Sequence, residues 1–212
     1  MLSLKIKRTA NAGVLLTMDG SRILLDGVCE KLHPYLGTPS AIRDELIENM
    51  PDILAFTHRH KDHYDDSYAQ LYREKTLRFV YEPESLPIQE NIGNIRITPV
   101  QTRHIGKTDV PHISYIIEGS SCVWFMGDAS PLNLKKFTEL PRPDILIVPF
   151  AYAITESAWK KTRELGAKEI IILHMPHRED DGEGVWRLLD GTIEKNTNIH
   201  IPEIAEELTL SI

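Results

Sequence analysis

The sequence predicts an α/β protein in which two β-sheets pack on each other and helices cover their outer faces. Three observations lead there. Strand-like segments come in two kinds: alternating ones, such as residues 2–8 and 95–100, and continuous apolar ones, such as Asp144-Ile145-Leu146-Ile147-Val148 and Glu169-Ile170-Ile171-Ile172-Leu173. Alternation marks a half-exposed strand, and a continuous run marks a strand buried on both faces. Helical patterns lie between the strands along the whole chain. Strand after strand also ends in a histidine or an aspartate.

Taken in order, residues 2–8 alternate apolar and basic, Val14-Leu15-Leu16 follows, and Asp19-Gly20-Ser21 makes a hairpin turn. The return strand 22–25 ends in Asp26-Gly27. Residues 29–40 form a loop holding His33, Pro34 and Tyr35, after which Ser40 starts a helix with Ile42, Leu46 and Met50 on one face. Asp52-Ile53-Leu54-Ala55-Phe56 is a short buried strand. Asp65, Asp66 and Ser67 cap a second helix over about residues 66–75. Residues 77–81 read as a strand, 82–93 as a loop with two prolines, and 95–100 as an alternating strand leading to Thr102-Arg103-His104. A hairpin follows, from 112–117 through Glu118-Gly119-Ser120 to 122–126, and it delivers Gly127-Asp128. Residues 132–140, 155–165 and 181–195 read as helices, with Gly166 stopping the second. The strand 169–173 ends in His174, and an apolar strand near 207–212 closes the chain.

At 212 residues the chain is read as one domain, 1–212, long enough for a large core. The net charge, 24 − 31 = −7, disfavours nonspecific binding to nucleic acid or to an anionic membrane. No apolar run approaches membrane-spanning length, and the alternating N-terminus is a strand rather than a signal peptide. Cys29 and Cys122, each flanked by apolar residues and lacking metal-type spacing, read as a buried reduced pair in a cytoplasmic protein.

The chemistry gathers around Thr57-His58-Arg59-His60-Lys61-Asp62-His63, where His-x-His-x-Asp-His follows the buried strand 52–56. Alternation at the strand end puts His58 and His60 on one side, and a loop can turn Asp62 and His63 back toward the same point. Imidazole and carboxylate without thiolate suit zinc, manganese or iron in a functional site rather than a structural zinc knot. A lone strand-end histidine such as His104, or a turn carboxylate such as Asp128, is ordinary. The cluster at 58–63, His104, Asp128 and His174 together would converge on one sheet edge. Asp26 is either a turn carboxylate before Gly27 or a group that orients a metal-binding histidine.

These elements, in this order, resemble the metallo-β-lactamase fold superfamily over essentially the whole chain, and its compact lactonase-like and phosphodiesterase-like branch in size. The resemblance implies a four-layer αβ/βα sandwich of two mixed β-sheets flanked by helices, with a metal site at one edge. It implies that His58, His60 and His104 hold one divalent metal ion, that Asp62, His63 and His174 hold a second, that Asp128 bridges them, and that Asp26 supports the ligands from behind. Two such ions, zinc foremost and manganese or iron as alternatives, share a water, bring its pKa toward neutrality and so provide a bridging hydroxide. Asp62 is then a ligand, a proton acceptor, or both. The chain lacks a Gly-x-Ser-x-Gly elbow and needs no serine nucleophile.

The expected activity is hydrolysis of a small-molecule ester, lactone or phosphodiester. Competing readings are a nuclease, which would need a basic groove that the sequence does not offer, and a non-hydrolytic metal protein, either a diiron redox carrier or a scaffold. His33, Arg103, His112, Tyr152, His177 and Arg178 are weak candidates for substrate contact and read more readily as surface residues.

Overall fold

The computed structural model describes residues 4–84, 90–106, 109–137, 139–193 and 198–211. Its first half comprises β1 (Leu4–Arg8), β2 (Val14–Met18), β3 (Ser21–Leu25), α1 (Ser40–Glu48), β4 (Ile53–Ala55), α2 (Asp66–Thr76) and β5 (Val80–Tyr81). The second half comprises β6 (Glu90–Ile92), β7 (Ile95–Arg103), β8 (Pro111–Glu118), β9 (Cys122–Phe125), β10 (Ile145–Pro149), α3 (Glu156–Glu164), β11 (Glu169–Leu173), α4 (Val185–Ile193), β12 (Ile199–His200) and β13 (Glu207–Leu210).

One sheet runs β13-β1-β2-β3-β4-β5 and the other β12-β11-β10-β9-β8-β7-β6. Both are mixed. β3, β4 and β5 pair in parallel, as do β9, β10, β11 and β12. Parallel pairing requires crossover connections, and the helices supply several of them. Alternation sorts the side chains into layers. Leu16, Ile23 and Leu25 face Phe125, Ile147 and Ile171 across the inter-sheet core. Leu15, Leu24 and Leu54 turn outward to Ile42, Leu46, Tyr68 and Tyr72 of α1 and α2. Trp124, Leu146, Val148 and Ile172 turn outward on the other side, toward Val185 and Leu189 of α4. The continuous apolar runs of β10 and β11 are thus split between two cores, which is why both of their faces are apolar.

Local chemistry explains the element ends. Asp19 and Gly20 both take positive φ (52° and 81°), the hairpin geometry whose twist matches the flanking strands. Asp65 caps α2 by accepting from the Tyr68 amide (2.8 Å). Thr155 caps α3, and Gly166 at φ 70° follows its end.

Several expectations need correction. Leu77 takes left-handed φ at the end of α2 and is 91% exposed, so only Val80 and Tyr81 of the expected strand 77–81 pair. Residues 90–92, read as loop, form β6 and pair with β7. Residues 131–137 are a 3-10 helix rather than the start of an α-helix. The last α-helix begins at Val185 because both Asp181 carboxylate oxygens accept amides there, from Val185 (2.8 Å) and Trp186 (3.0 Å). Cys29 is buried but Cys122 only partly so, and both thiols are free. Parts of the expected segments at residues 2–3, 85–89, 138, 194–195 and 212 lie outside the described residues. Among the described residues no helix is long and apolar enough to cross a membrane.

Candidate metal centre

Three strands deliver side chains to the site by turning left-handed within two residues of their ends. Asp26 follows β3 at φ 47°, Gly127 follows β9 at φ 54°, and His174 follows β11 at φ 61°. For Asp26 and His174 this conformation costs on the order of 1–3 kcal/mol each, and such strain persists where the surroundings hold it, most often at functional sites. After β4, the amides of His63 and Tyr64 both bond the His60 carbonyl (2.9 Å each). That tight turn brings His63 back under His58. His104 is tied to Asp128 through the backbone, because the Ile105 amide donates to the Asp128 carbonyl (2.8 Å). Asn133 locks the same strand end by accepting from the Arg103 amide (3.0 Å) and donating to its carbonyl (2.8 Å).

The result is two triplets of potential ligands. The donor atoms of His58, His60 and His104 lie within 4.8 Å of one another, as do those of Asp62, His63 and His174. Asp128 stands between them. Its Oδ2 is 3.6 Å from His104 Nε2, 3.5 Å from His63 Nε2 and 3.5 Å from His174 Nε2. Asp62 Oδ2 lies 3.1 Å from His174 Nε2. A third grouping, Asp26 with His58 and His63, is equally compact but is already satisfied internally. Asp26 accepts from the Thr57 amide (2.7 Å), the Thr57 hydroxyl (2.6 Å) and His63 Nδ1 (2.8 Å).

Those contacts fix ring tautomers. The single Thr57 hydroxyl proton goes to Asp26, so Thr57 Oγ1 accepts from His58 Nδ1 (3.0 Å). His104 Nδ1 donates to the Ile105 carbonyl (2.6 Å). With Nδ1 donating in His58, His63 and His104, Nε2 is the atom each ring offers as a ligand. The Nε2 atoms of His58, His63, His104 and His174 are all buried without a hydrogen-bond partner among the described residues. Buried polar atoms are nearly always partnered, so four such orphans in two adjoining triplets, three of them within 3.6 Å of Asp128 Oδ2, make a place able to hold a cation. The donor set, imidazole nitrogen and carboxylate oxygen without thiolate, fits zinc, manganese or iron.

The electrostatics agree. Burial, reinforced by the neighbouring imidazoles, keeps His58 from taking a proton. Burial also pushes His63 down, but the carboxylates of Asp128 and Asp26 on either side raise it well above the usual imidazole range. Asp128 is lifted by burial and drawn down further by His174 and His63, ending well below the usual carboxylate range. Asp128 is thus anionic and His58 neutral at neutral pH, while the raised His63 holds a proton between two carboxylates, a place that a metal ion would take over on binding.

Two residues read as surface candidates prove to be buried. His112 is 2% exposed, donates from Nδ1 to Thr102 Oγ1 (2.7 Å), and lies 5.2 Å from His58 ring to ring. Tyr152 is fully buried, its hydroxyl without a partner among the described residues, and burial together with Asp128 pushes its phenol up. His33, Arg103 and Arg178 are exposed, and His177 is half-buried. Sequence reasoning missed Thr57 and Asn11. Asn11 is buried and donates from Nδ2 to Asp62 Oδ2 (3.3 Å). Tyr35 also stands at the site, its ring 4.2 Å from that of His174.

The family model described as Beta-lactamase superfamily domain matches residues 5–179. The chain belongs to the beta-lactamase superfamily. A curated member with which it shares 24% identity over 214 residues is the UPF0173 metal-dependent hydrolase of Hyperthermus butylicus, with 87% of this chain and 90% of the relative aligned. Among solved structures it is similar to a possible metal-dependent hydrolase from Veillonella parvula (TM-score 0.73, 17% identity, covering 99% of this chain and 100% of that one). It is also similar to the metallo-β-lactamase fold protein YhfI from Bacillus subtilis (TM-score 0.64, 16% identity, 99% and 100%). The two mixed sheets with flanking helices are the metallo-β-lactamase fold of this superfamily.

Proposed function

We propose that this superfamily member is a metal-dependent hydrolase with a binuclear centre, acting on a small ester, lactone or phosphodiester. The observation that carries the reading is the convergence of the Nε2 atoms of His63, His104 and His174 on Asp128 Oδ2, with the unpartnered Nε2 of His58 in the adjoining triplet. His58, His60 and His104 would hold one divalent ion, and Asp62, His63 and His174 the other, with Asp128 shared between them. Zinc is the first candidate, and manganese or iron fit the same donors. The H. butylicus relative, named as a metal-dependent hydrolase, supports the same class. The free thiols support a cytoplasmic setting.

Divalent ions bound there would supply Lewis acidity and lower the pKa of a coordinated water. The chain's own residues do the rest. Asp26 and Thr57 hold the His63 and His58 rings in the tautomer that offers Nε2. Asp62, held between His174 and Asn11, takes up the proton released as the substrate is attacked. The burial of Asp26, Thr57, His58 and His63 lowers the local dielectric and strengthens each of these interactions.

The test is turnover by metal-stripped and reloaded protein on p-nitrophenyl acetate, a γ-lactone and bis-(p-nitrophenyl) phosphate. Hydrolysis of at least one that is lost on chelation and restored by zinc or manganese is expected. Inactivity on all three in every metal form would remove the hydrolase reading for these classes.

A further inference from the structure

Asn11 sits in the loop between β1 and β2 and is completely buried. It touches both halves of the fold at the site. Its Nδ2 donates to Asp62 Oδ2 (3.3 Å), in the loop after β4 of one sheet. Its main-chain carbonyl accepts the amide of His174 (3.3 Å), at the end of β11 in the other sheet. The same carbonyl accepts from Arg8 Nη2 (2.8 Å). The Arg8 guanidinium, itself buried, also donates to the carbonyls of Ala10 (3.1 Å) and Pro202 (2.8 Å), so the loop backbone is fixed from behind.

The orientation of the Asn11 amide follows from its partner. A carboxylate oxygen can only accept, so the NH2 faces Asp62 and Oδ1 faces away. Oδ1 is buried and finds no donor among the described residues. A residue kept only to shape the loop would turn its amide to satisfy that loop. Asn11 instead spends its donor on Asp62 and leaves its own acceptor bare.

We propose that Asn11 is the positioning residue of the Asp62–His63–His174 half of the centre. Its amide sets the rotation of the Asp62 carboxylate, and its carbonyl holds the left-handed backbone of His174, so one side chain and one peptide aim two donors from different sheets at one point. The inference rests on the two-ion reading above. Groups that orient metal ligands from behind are generally worth about 10–100-fold in metal affinity.

The experiment is a cobalt(II) titration of the metal-free full chain, followed by calorimetry and by the visible ligand-field bands. Asn11→Leu keeps the side-chain volume and removes the donor. The expected result is a first equivalent that binds with wild-type affinity and spectrum, and a second that binds about 10–100-fold more weakly with altered bands. Both equivalents binding as in wild type would overturn the proposal, and so would equal weakening of both in a folded variant. If the wild-type protein itself takes up less than a second equivalent, the two-ion reading fails and this inference falls with it. Loss confined to the variant leaves that reading standing. Should Asn11→Leu not fold, Asn11→Ala makes the same comparison.

Discussion

The Thr57 hydroxyl lies 2.6 Å from Asp26 Oδ2 and donates to it, and through this one contact a single buried carboxylate orients imidazoles of both triplets. Asp26 takes His63 directly at 2.8 Å and takes His58 by way of Thr57. The two halves of the centre therefore share one anchor. Burial raises the Asp26 carboxyl above the usual carboxylate range, and His63 and Thr57 offset this only in part.

Thr57→Val keeps the shape of the side chain and removes the relay. Asp26 retains the Thr57 amide and His63, while His58 loses its Nδ1 partner. Metal affinity at the His58–His60–His104 half should fall about 10–100-fold, with a stability cost of about 1–3 kcal/mol from the stranded His58 Nδ1–H. Competition against a chromophoric chelator measures the first effect and urea unfolding the second. Unchanged affinity would show that His58 needs no support from Thr57.

Gly127 guards the same contact from the other sheet. A Cβ there would lie 2.6 Å from both Cγ2 and Oγ1 of Thr57, on a backbone with φ 54°. Gly127→Ala should destabilise the protein by about 2–4 kcal/mol, through backbone strain and overpacking together. It should also weaken metal binding, because Thr57 must move. A variant as stable as wild type would mean that the Thr57 region yields more readily than its buried, hydrogen-bonded setting implies.

Asp65 gives a pH-dependent prediction. Burial raises its carboxyl, but hydrogen bonds from Arg43, Ser67 and the Tyr68 amide outweigh that and hold it below the ordinary value of 3.8. A folded-state pKa below the unfolded one contributes stability that is complete above the ordinary value and is lost as the pH falls through the folded value. Asp65→Ala should thus cost about 1–2 kcal/mol near neutral pH. The gap to wild type should be flat down to the ordinary carboxylate range and should narrow below it. Urea unfolding at a series of pH values checks this, and a gap that stays constant into strong acid would contradict it.

Much of this architecture could be read from the sequence because its signals are local. Alternation in residues 4–8, continuous apolar runs at 145–149 and 169–173, and the Asp19-Gly20 turn each report directly on backbone conformation. The cluster at 58–63 announced itself by spacing, and His104, Asp128 and His174 by standing where strands end. The less legible parts depend on tertiary context. β6 is short and polar, and it becomes a strand only because β7 lies beside it. Leu77 looked like a strand residue, but helix α2 needed a left-handed end there. Asn11 and Thr57 carry no motif, and their importance lies in what they touch across some 50 and 30 residues of chain respectively. His112 looked like a surface residue because nothing in its neighbours predicts that β8 buries it behind His58.

The central claim is that two ions belong between these donors, and metal content per chain tests it most directly. Elemental mass spectrometry on protein purified without chelator should return about two ions of zinc, manganese or iron per chain. A chain that holds none, even after exposure to each metal in turn, would leave the unpartnered imidazole nitrogens of the two triplets without their cation and would contradict the two-ion reading.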